Sequence, residues 1–192
     1  DIQQFRNKDQ DIRSGWWANK YGLQIGWKTF DLLQVEGLNT LIEMNIVRPF
    51  TYAHSSPTQA YSNYNLSLAH PLGANFYEFI SSINYQKIDW IVKLKYIQSR
   101  KGISPQGLIL GDDLQKSNTS RFREYENFIG QGIETNVHFV SLDFAYIVDP
   151  GTNTTVNLGC LWREQQGGGT TFTNNSIYLS IKTNIYNQYW DF

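Results

Sequence analysis

The sequence predicts an all-β chain: an antiparallel up-and-down transmembrane β-barrel, of which about seven strands lie within these 192 residues. Three observations predict it. Apolar and polar residues alternate with period 2 along seven stretches, which indicates strands with two different faces. The charged residues fall on the less apolar face. Long and short connections alternate along the chain, and short turns opposite long loops are typical of bacterial outer-membrane barrels.

The alternation is clearest in the terminal strand, which begins at Ile177 and runs into an aromatic carboxy-terminus, Tyr189 to Phe192. An amphipathic last strand with such an ending is typical of the closing strand of an outer-membrane barrel. The chain is predicted to begin with an exposed segment, 1–20, that ends at Trp16-Trp17. The remaining predicted strands are Tyr21–Phe30, Leu38–Tyr52, Asn75–Tyr85, Ile88–Gln98, Thr135–Val148 and Thr154–Arg163.

The connections between these strands are predicted to segregate by length. Turns are expected at 31–37, 86–87 and 149–153, and long loops at 53–74, 99–134 and 164–176. If the Gln86-Lys87 turn has two residues, Glu78 faces Lys95 as an opposite-charge cross-strand pair. A Greek-key sandwich is not expected to place all its long loops on one side.

The charged residues of the strands are predicted to face the barrel lumen. Arg48 is the exception, and it sits near a predicted strand end, where a lipid-facing cation costs little. Cations and carboxylates balance one another in this set, so a neutralised polar interior is a sufficient explanation for them. The lumen charges are Lys28, Glu43, Glu78, Lys93, Lys95, Asp143, Arg163 and Lys182.

Composition narrows the class further. The net charge of -1 gives no electrostatic footprint for nucleic acid, and the single Cys160 excludes an internal disulfide and any multi-cysteine metal site. No run approaches the ~18–20 apolar residues that a membrane helix needs. Seven strands are too few for a bacterial barrel, which takes an even number from eight upward. We therefore expect the chain to be the C-terminal portion of one larger barrel, without a separate second domain. An outer-membrane protein needs a signal sequence, so we expect that it either was cleaved or belongs to a longer protein of which this chain is the C-terminal piece.

Neither catalysis nor a cofactor is predicted. No nucleophile–base arrangement or metal-ligand spacing can be drawn from the three histidines and the acidic residues. His70 is expected to hydrogen-bond within a loop shaped by Pro71 and Gly73. Extracellular tyrosines with nearby amides could instead form a carbohydrate platform of stacking rings and amide hydrogen bonds, although Tyr52 and Tyr77 suit an interface girdle better. The candidate ligand-binding residues are Tyr61, Asn63, Tyr64 and His70, with Asn65 beside them.

Several stretches also carry a family resemblance. They are Trp16–Gly22, Arg48–Ser55, Asn65–Asn75, Asn127–Gly132 and Lys182–Asn184 together with the Tyr-Trp-Asp-Phe ending. Together they resemble the C-terminal half of the Wzi-like capsule-assembly outer-membrane proteins of Bacteroidetes, a group with a gliding-motility branch of the RemB type. The most specific part is Ala69-His70-Pro71-Leu72-Gly73-Ala74-Asn75. The resemblance implies a large outer-membrane barrel involved in surface polysaccharide attachment or adhesion-linked motility.

The sequence leaves three functions open. The first is a non-enzymatic outer-membrane barrel whose partners are the lipid bilayer and cell-surface polysaccharide. The second is a structural subunit of an outer-membrane protein assembly, such as a motility or protein-secretion complex. The third is a soluble β-sandwich that acts as a binding module, which would be monodisperse in plain buffer. A barrel enzyme is disfavoured because no catalytic group is apparent.

Overall fold

A computed structural model describes residues 14–64 and 66–183 of the chain. Three features of the sequence analysis lie outside these residues: most of the exposed segment 1–20, Asn65, and the aromatic carboxy-terminal ending. The regular structure of the described chain consists of strands, with three single-turn 3₁₀ segments in the connections at Leu32–Gln34, Pro57–Gln59 and Asn118–Ser120.

Nine strands are present in the described residues, two of them very short. The seven long strands are the stretches in which apolar and polar residues alternate. Along each of them the backbone pairs with neighbouring strands, and successive side chains point to opposite faces of the sheet. The strands are β1 (Gly22–Thr29), β2 (Leu38–Val47), β3 (Ser62–Asn63), β4 (Leu66–Ser67), β5 (Phe76–Lys87), β6 (Trp90–Ile103), β7 (Ile133–Asp149), β8 (Thr154–Gly167) and β9 (Thr170–Lys182).

The seven long strands form one sheet in the order β1-β2-β5-β6-β7-β8-β9, and every neighbouring pair is antiparallel. β3 and β4 form a separate small hairpin within the connection between β2 and β5. Each long strand therefore pairs with the next one along the chain. This confirms the predicted all-β, antiparallel, up-and-down order of seven strands.

The predicted turn at Gln86-Lys87 is wrong by two residues. Lys87 pairs with Trp90, so β5 continues to Lys87 and the turn is Ile88-Asp89. Ile88 takes a left-handed φ of 55°, as a tight hairpin turn requires of its first residue. The shift moves the register, and the predicted Glu78–Lys95 pair does not form. Glu78 lies opposite Ser99, and Lys95 lies opposite Ser82.

The predicted loop at 164–176 is also wrong, because β8 and β9 continue through it as a tight hairpin. The turn is Gly168-Gly169, and both glycines have positive φ, 58° and 81°. Apart from Phe172, the residues around it are polar on both faces, so they lack the alternation that marks a strand, yet their backbones still pair. Two of the three predicted long connections remain, and both leave the same end of the sheet. That end is called the loop end below.

The second predicted strand, Leu38–Tyr52, ends earlier than expected, at Val47. Pro49 lacks a backbone N–H and Phe50 has a left-handed φ of 64°, so the chain turns away from the sheet. Arg48 consequently does not face outward from a strand. Its side chain is buried among the connections at the loop end.

One face of the sheet, called the apolar face, carries large hydrophobic side chains that are exposed. Leu158 is 52% and Leu179 is 73% exposed. On β2, β5, β6, β7 and β8 this face has an apolar band seven to nine residues long. The band extends about 20–26 Å along each strand. Within it, none of the described strands places a charged side chain on this face. Aromatic residues stand at both ends of the band. They are Tyr85, Trp90 and Tyr146 at the short-turn end, and Tyr77, Tyr96 and Trp162 at the loop end.

The opposite face, called the polar face, carries the charges in the central part of the sheet, whereas the apolar face has charged side chains only beyond its band, among them Arg100 and Glu134. Every predicted lumen charge on the strands falls on it: Lys28, Glu43, Glu78, Lys93, Lys95, Asp143, Arg163 and Lys182. Lys93 lies directly opposite Asp143. The Tyr178 hydroxyl donates to the Asp143 carboxylate across Gly159, whose missing side chain leaves room for the Tyr178 ring.

Candidate functional site: the loop cap

The two long connections and the segment before β1 fold together at the loop end into one unit, called the loop cap: residues 14–21, 48–64, 66–75 and 104–132. A hydrophobic cluster fixes the loop cap to the sheet. Val47 and Phe76, at the loop ends of β2 and β5, pack with Ala74 and Leu114 of the two connections. Val47 and Phe76 belong to the polar face, so the loop cap lies over the polar face and leaves the apolar face uncovered.

Asn75 joins the two connections. Its side chain is fully buried, and Nδ2 donates to the carbonyls of Gly102 at 2.9 Å and Gln131 at 2.8 Å. Its Oδ1 accepts from the Gly130 N–H at 2.7 Å. The φ of Asn75 is 65°, a left-handed conformation that asparagine tolerates better than most residues. One side chain thereby satisfies three backbone groups that burial would otherwise leave without partners.

Arg48 and Asn127 form a second buried junction. The Arg48 guanidinium donates to the Asn127 carbonyl at 2.7 Å, and the Asn127 N–H donates to the Gly15 carbonyl at 2.8 Å. The rings of Trp17 and Phe50 meet edge-on beside them, 6.1 Å between centroids. Burial lowers the pKa of the Arg48 guanidinium. All three parts of the loop cap are thus tied at one point.

The approach of the two connections depends on Gly111. The Phe50 N–H donates to the Gly111 carbonyl at 2.8 Å, and Gly111 has a φ of 86°. A Cβ atom at this position would lie 2.5 Å from the Phe50 nitrogen, so any other residue would push the connections apart. Lys20 adds a further tie through its ammonium, which donates to the Ala53 carbonyl at 2.7 Å, and burial lowers the pKa of Lys20.

His70 faces inward toward the sheet. Its Nδ1 accepts from the Leu72 N–H at 3.2 Å, which places the ring proton on Nε2. Nε2 therefore donates to the Glu78 carboxylate, 2.9 Å away, and the same carboxylate accepts from Asn45 at 3.0 Å. The His70 ring also lies 4.5 Å from the Phe76 ring. These contacts agree with the expectation that His70 is a hydrogen-bonding member of its loop, and they leave it little capacity for a ligand.

The other candidate ligand-binding residues sit on the β3–β4 hairpin. Tyr64, at the turn, is 93% exposed, Tyr61 is 55% exposed, and Asn63 is exposed beside them. The Tyr61 ring lies 6.0 Å from that of Tyr52. Burial, together with Tyr61, raises the pKa of the Tyr52 hydroxyl. The hairpin thus presents two aromatic rings and an amide to solvent, separate from His70.

A cavity of about 340 Å³ lies between this hairpin and the second connection. It is lined by hydroxyl, amide, ammonium and carboxylate groups over a hydrophobic wall. Its polar lining residues are Ser62, Ser67, Lys101, Asp112, Asp113 and Gln115. Sequence reasoning did not find this cavity, because its residues come from three separate parts of the chain and nothing in the sequence predicts that these parts meet.

The sequence analysis did not predict the two buried junctions, although it singled out the stretches that contain them. Asn75, Arg48 and Asn127 each lie within a stretch that carried the family resemblance, but nothing in the sequence predicted that these stretches meet. The structure brings four of them together: Trp16–Gly22, Arg48–Ser55, the part of Asn65–Asn75 that is described, and Asn127–Gly132. These four stretches form the frame of the loop cap.

Within residues 14–64 and 66–183, no three His, Cys, Asp or Glu side chains are grouped so as to hold a metal ion. The helical segments of this part of the chain are all too short or too polar to cross a membrane. Comparisons of the chain with protein-family models, with curated proteins and with solved structures give no match. The two faces of the sheet and the loop cap are therefore the features of the molecule that bear on its function.

Proposed function

We propose that this chain forms part of a transmembrane β-barrel in the bacterial outer membrane. The single observation that carries the proposal is the difference between the two faces of the sheet. An exposed, uncharged band bounded by aromatic residues on both sides is what a lipid-facing surface needs, because such barrels carry an apolar band ~25 Å tall between aromatic girdles. Soluble monomers rarely expose a contiguous apolar patch of more than a few hundred Å².

The course of the band across the sheet also supports a barrel. The row of directly opposed residues that starts at Leu23 passes through Ile46 and Tyr77 and then reaches Arg100 and Asn136. The apolar band therefore crosses the hydrogen-bonded rows obliquely. A barrel whose strands tilt against its axis requires this stagger. Further strands would have to join β1 and β9 to close it.

At the cell surface, we assign the loop cap the function of holding surface polysaccharide without enzymatic activity. Its frame is rigid and buried, while Tyr61, Asn63 and Tyr64 are exposed. Aromatic rings beside amide groups suit sugars, which present both C–H faces and hydroxyls. The resemblance to Wzi-like capsule-assembly proteins supports the same assignment.

Membrane fractionation tests the first part of the proposal. The full-length protein is expected in the outer-membrane fraction, soluble only with detergent, and with a heat-dependent mobility on a gel. Polysaccharide release from cells lacking the protein, compared with cells carrying it, tests the second part. A protein that is monodisperse in plain buffer would contradict the barrel and favour the soluble sandwich.

One observation favours a second candidate, a structural subunit of an outer-membrane protein assembly. The second connection exposes three aromatic rings close together in sequence: Phe122 at 59%, Tyr125 at 48% and Phe128 at 54%. Exposed aromatic side chains are enriched at protein interfaces. Co-purification with defined proteins after the polysaccharide has been removed would favour this candidate.

A further inference from the structure

The cavity between the β3–β4 hairpin and the second connection has the hydrogen-bonding capacity of a binding site. The Lys101 ammonium donates to the Leu72 carbonyl at 2.6 Å and keeps two further N–H donors. The Ser62 hydroxyl accepts from the Gln115 amide at 2.8 Å, so its own proton remains available. The Ser67 hydroxyl is buried and has no hydrogen-bond partner.

The frame around the cavity is already formed. Gly73 has a φ of 74°, and a Cβ atom there would lie 2.8 Å from the Leu114 side chain, so the loop packs directly on Leu114. Asp112 is 8% exposed, and the Ser104 hydroxyl donates to its carboxylate. Asp113 accepts from the Gln115 N–H at 2.9 Å and is otherwise open to solvent. A site held in this way loses little conformational entropy when a ligand binds.

The charges of the cavity limit what it can bind. Two carboxylates, Asp112 and Asp113, face one ammonium, Lys101. Carboxylate and ammonium groups together bind vicinal hydroxyls well, since one accepts and the other donates. The excess negative charge disfavours a ligand that carries carboxylate or phosphate groups.

We infer that this cavity is a saccharide subsite of the loop cap, and that it takes an uncharged or amine-bearing sugar unit rather than a uronate or phosphorylated one. Lys101 and Asp113 bind the sugar hydroxyls, and a ligand hydroxyl supplies the partner that Ser67 lacks. Leu72 and Leu114 provide the apolar wall for its C–H face. The inference rests on the proposed polysaccharide function and names the class of sugar that the site selects.

The test is a binding titration of the full-length protein in detergent micelles. The probes are three oligosaccharides of equal length, made of neutral hexose, amino sugar and uronic acid. Binding of a neutral or amino-sugar probe is expected, with at least tenfold weaker binding of the uronate. Lys101→Met and Asp113→Asn are each expected to weaken binding about tenfold. Ser67→Ala, which removes only an unpartnered hydroxyl, should weaken it two- to fivefold and leave folding unchanged.

Matched controls stand at the other end of the sheet. Lys87→Met and Asp89→Asn make the same chemical changes near the short turn and should leave affinity unchanged. If no probe binds, both the polysaccharide function and this subsite are wrong. If a probe binds but its affinity is unchanged in all three cavity variants, only the subsite is wrong, and Tyr61→Ala and Tyr64→Ala then locate the contact. A preference for the uronate would overturn the charge argument.

Discussion

The sheet and the loop cap reverse the usual arrangement of a globular protein. Sheets usually hold the hydrophobic core while connections are exposed and loosely packed. Here the connections are the best-packed part of the described chain, whereas the sheet exposes most of its large apolar side chains. Of the buried hydrophobic residues in the described part of the chain, only Ala145 lies on a long strand away from the loop cap. The others lie in the loop cap or, like Val47 and Phe76, directly beneath it.

This reversal indicates that the two regions are built for different surroundings. The loop cap carries buried polar junctions such as Asn75 and Arg48–Asn127, which exclude water from its interior. The sheet keeps the charges of its central part on the polar face and leaves the apolar band of the other face without charge. The loop cap is packed as a water-surrounded structure is, and the exposed apolar face of the sheet is explained if lipid covers it. Substitutions in the loop cap and in the sheet should therefore change stability for different reasons.

The largest effect is expected in the loop cap, for Asn75→Ala. The change leaves three buried backbone groups unsatisfied, at about 1–3 kcal/mol each, so we expect the free energy of unfolding to fall by about 3–5 kcal/mol. Protease cleavage of residues 104–132 should accelerate as well. Denaturant unfolding in detergent measures the first and timed proteolysis the second.

Asn63→Ala is the matched control for that variant, because Asn63 lies in the same connection but is exposed. Its effect should stay within about 0.5 kcal/mol. Equal stability of the two variants would show that the loop cap is not held by its buried junctions, and the contrast between the two regions would fail.

A somewhat smaller effect is expected on the apolar face, for Leu158→Arg. Leu158 lies in the middle of the band on β8, and an arginine at the bilayer midplane of a barrel costs about 2–4 kcal/mol. Ser176→Arg places the same charge on the polar face of β9 and should cost far less. Urea unfolding from lipid vesicles measures both.

The sign of the Leu158→Arg effect decides which surroundings the face has. In water, replacing an exposed leucine by arginine is close to neutral and improves solubility. A stabilised or more soluble Leu158→Arg protein would therefore contradict the lipid-facing assignment, whatever happens at Ser176.

A third effect, of about 1–3 kcal/mol, is expected for Gly159→Ala on the polar face. The added Cβ atom would lie 2.4 Å from the Tyr178 ring, which covers Gly159 on its way to Asp143. The cost should be smaller in a Tyr178→Ala background, because the alanine then has room. A double-mutant cycle measures this coupling, and additive effects would show that the ring does not rest on Gly159.

The structure of the sheet could be predicted from the sequence, whereas the structure of the loop cap could not. The sheet follows from alternation, a local signal, and its strand order and polar face were predicted from residues such as Glu43 and Lys93. Prediction failed where the alternation disappears, at the Gly168-Gly169 hairpin, because paired strands with two polar faces resemble a loop. The loop cap depends on contacts between residues far apart in the chain. Asn75 and Gln131, 56 positions apart, gave no signal of their contact.

The smallest effect on stability is expected at the tip of the loop cap, for Tyr64→Ala. Tyr64 is 93% exposed, so its removal should change the free energy of unfolding by less than about 0.5 kcal/mol. If the hairpin is a carbohydrate platform, the affinity for a neutral oligosaccharide should nevertheless fall, because the stacking ring is lost. Tyr125→Ala, on the other connection, is the control for a general loss of exposed aromatic surface. Affinity lost at Tyr64 but retained at Tyr125 would separate the loop cap into a frame that holds its shape and a tip that contacts the sugar. Equal losses would show that the affinity depends on exposed aromatic surface in general and would contradict a carbohydrate platform at the hairpin.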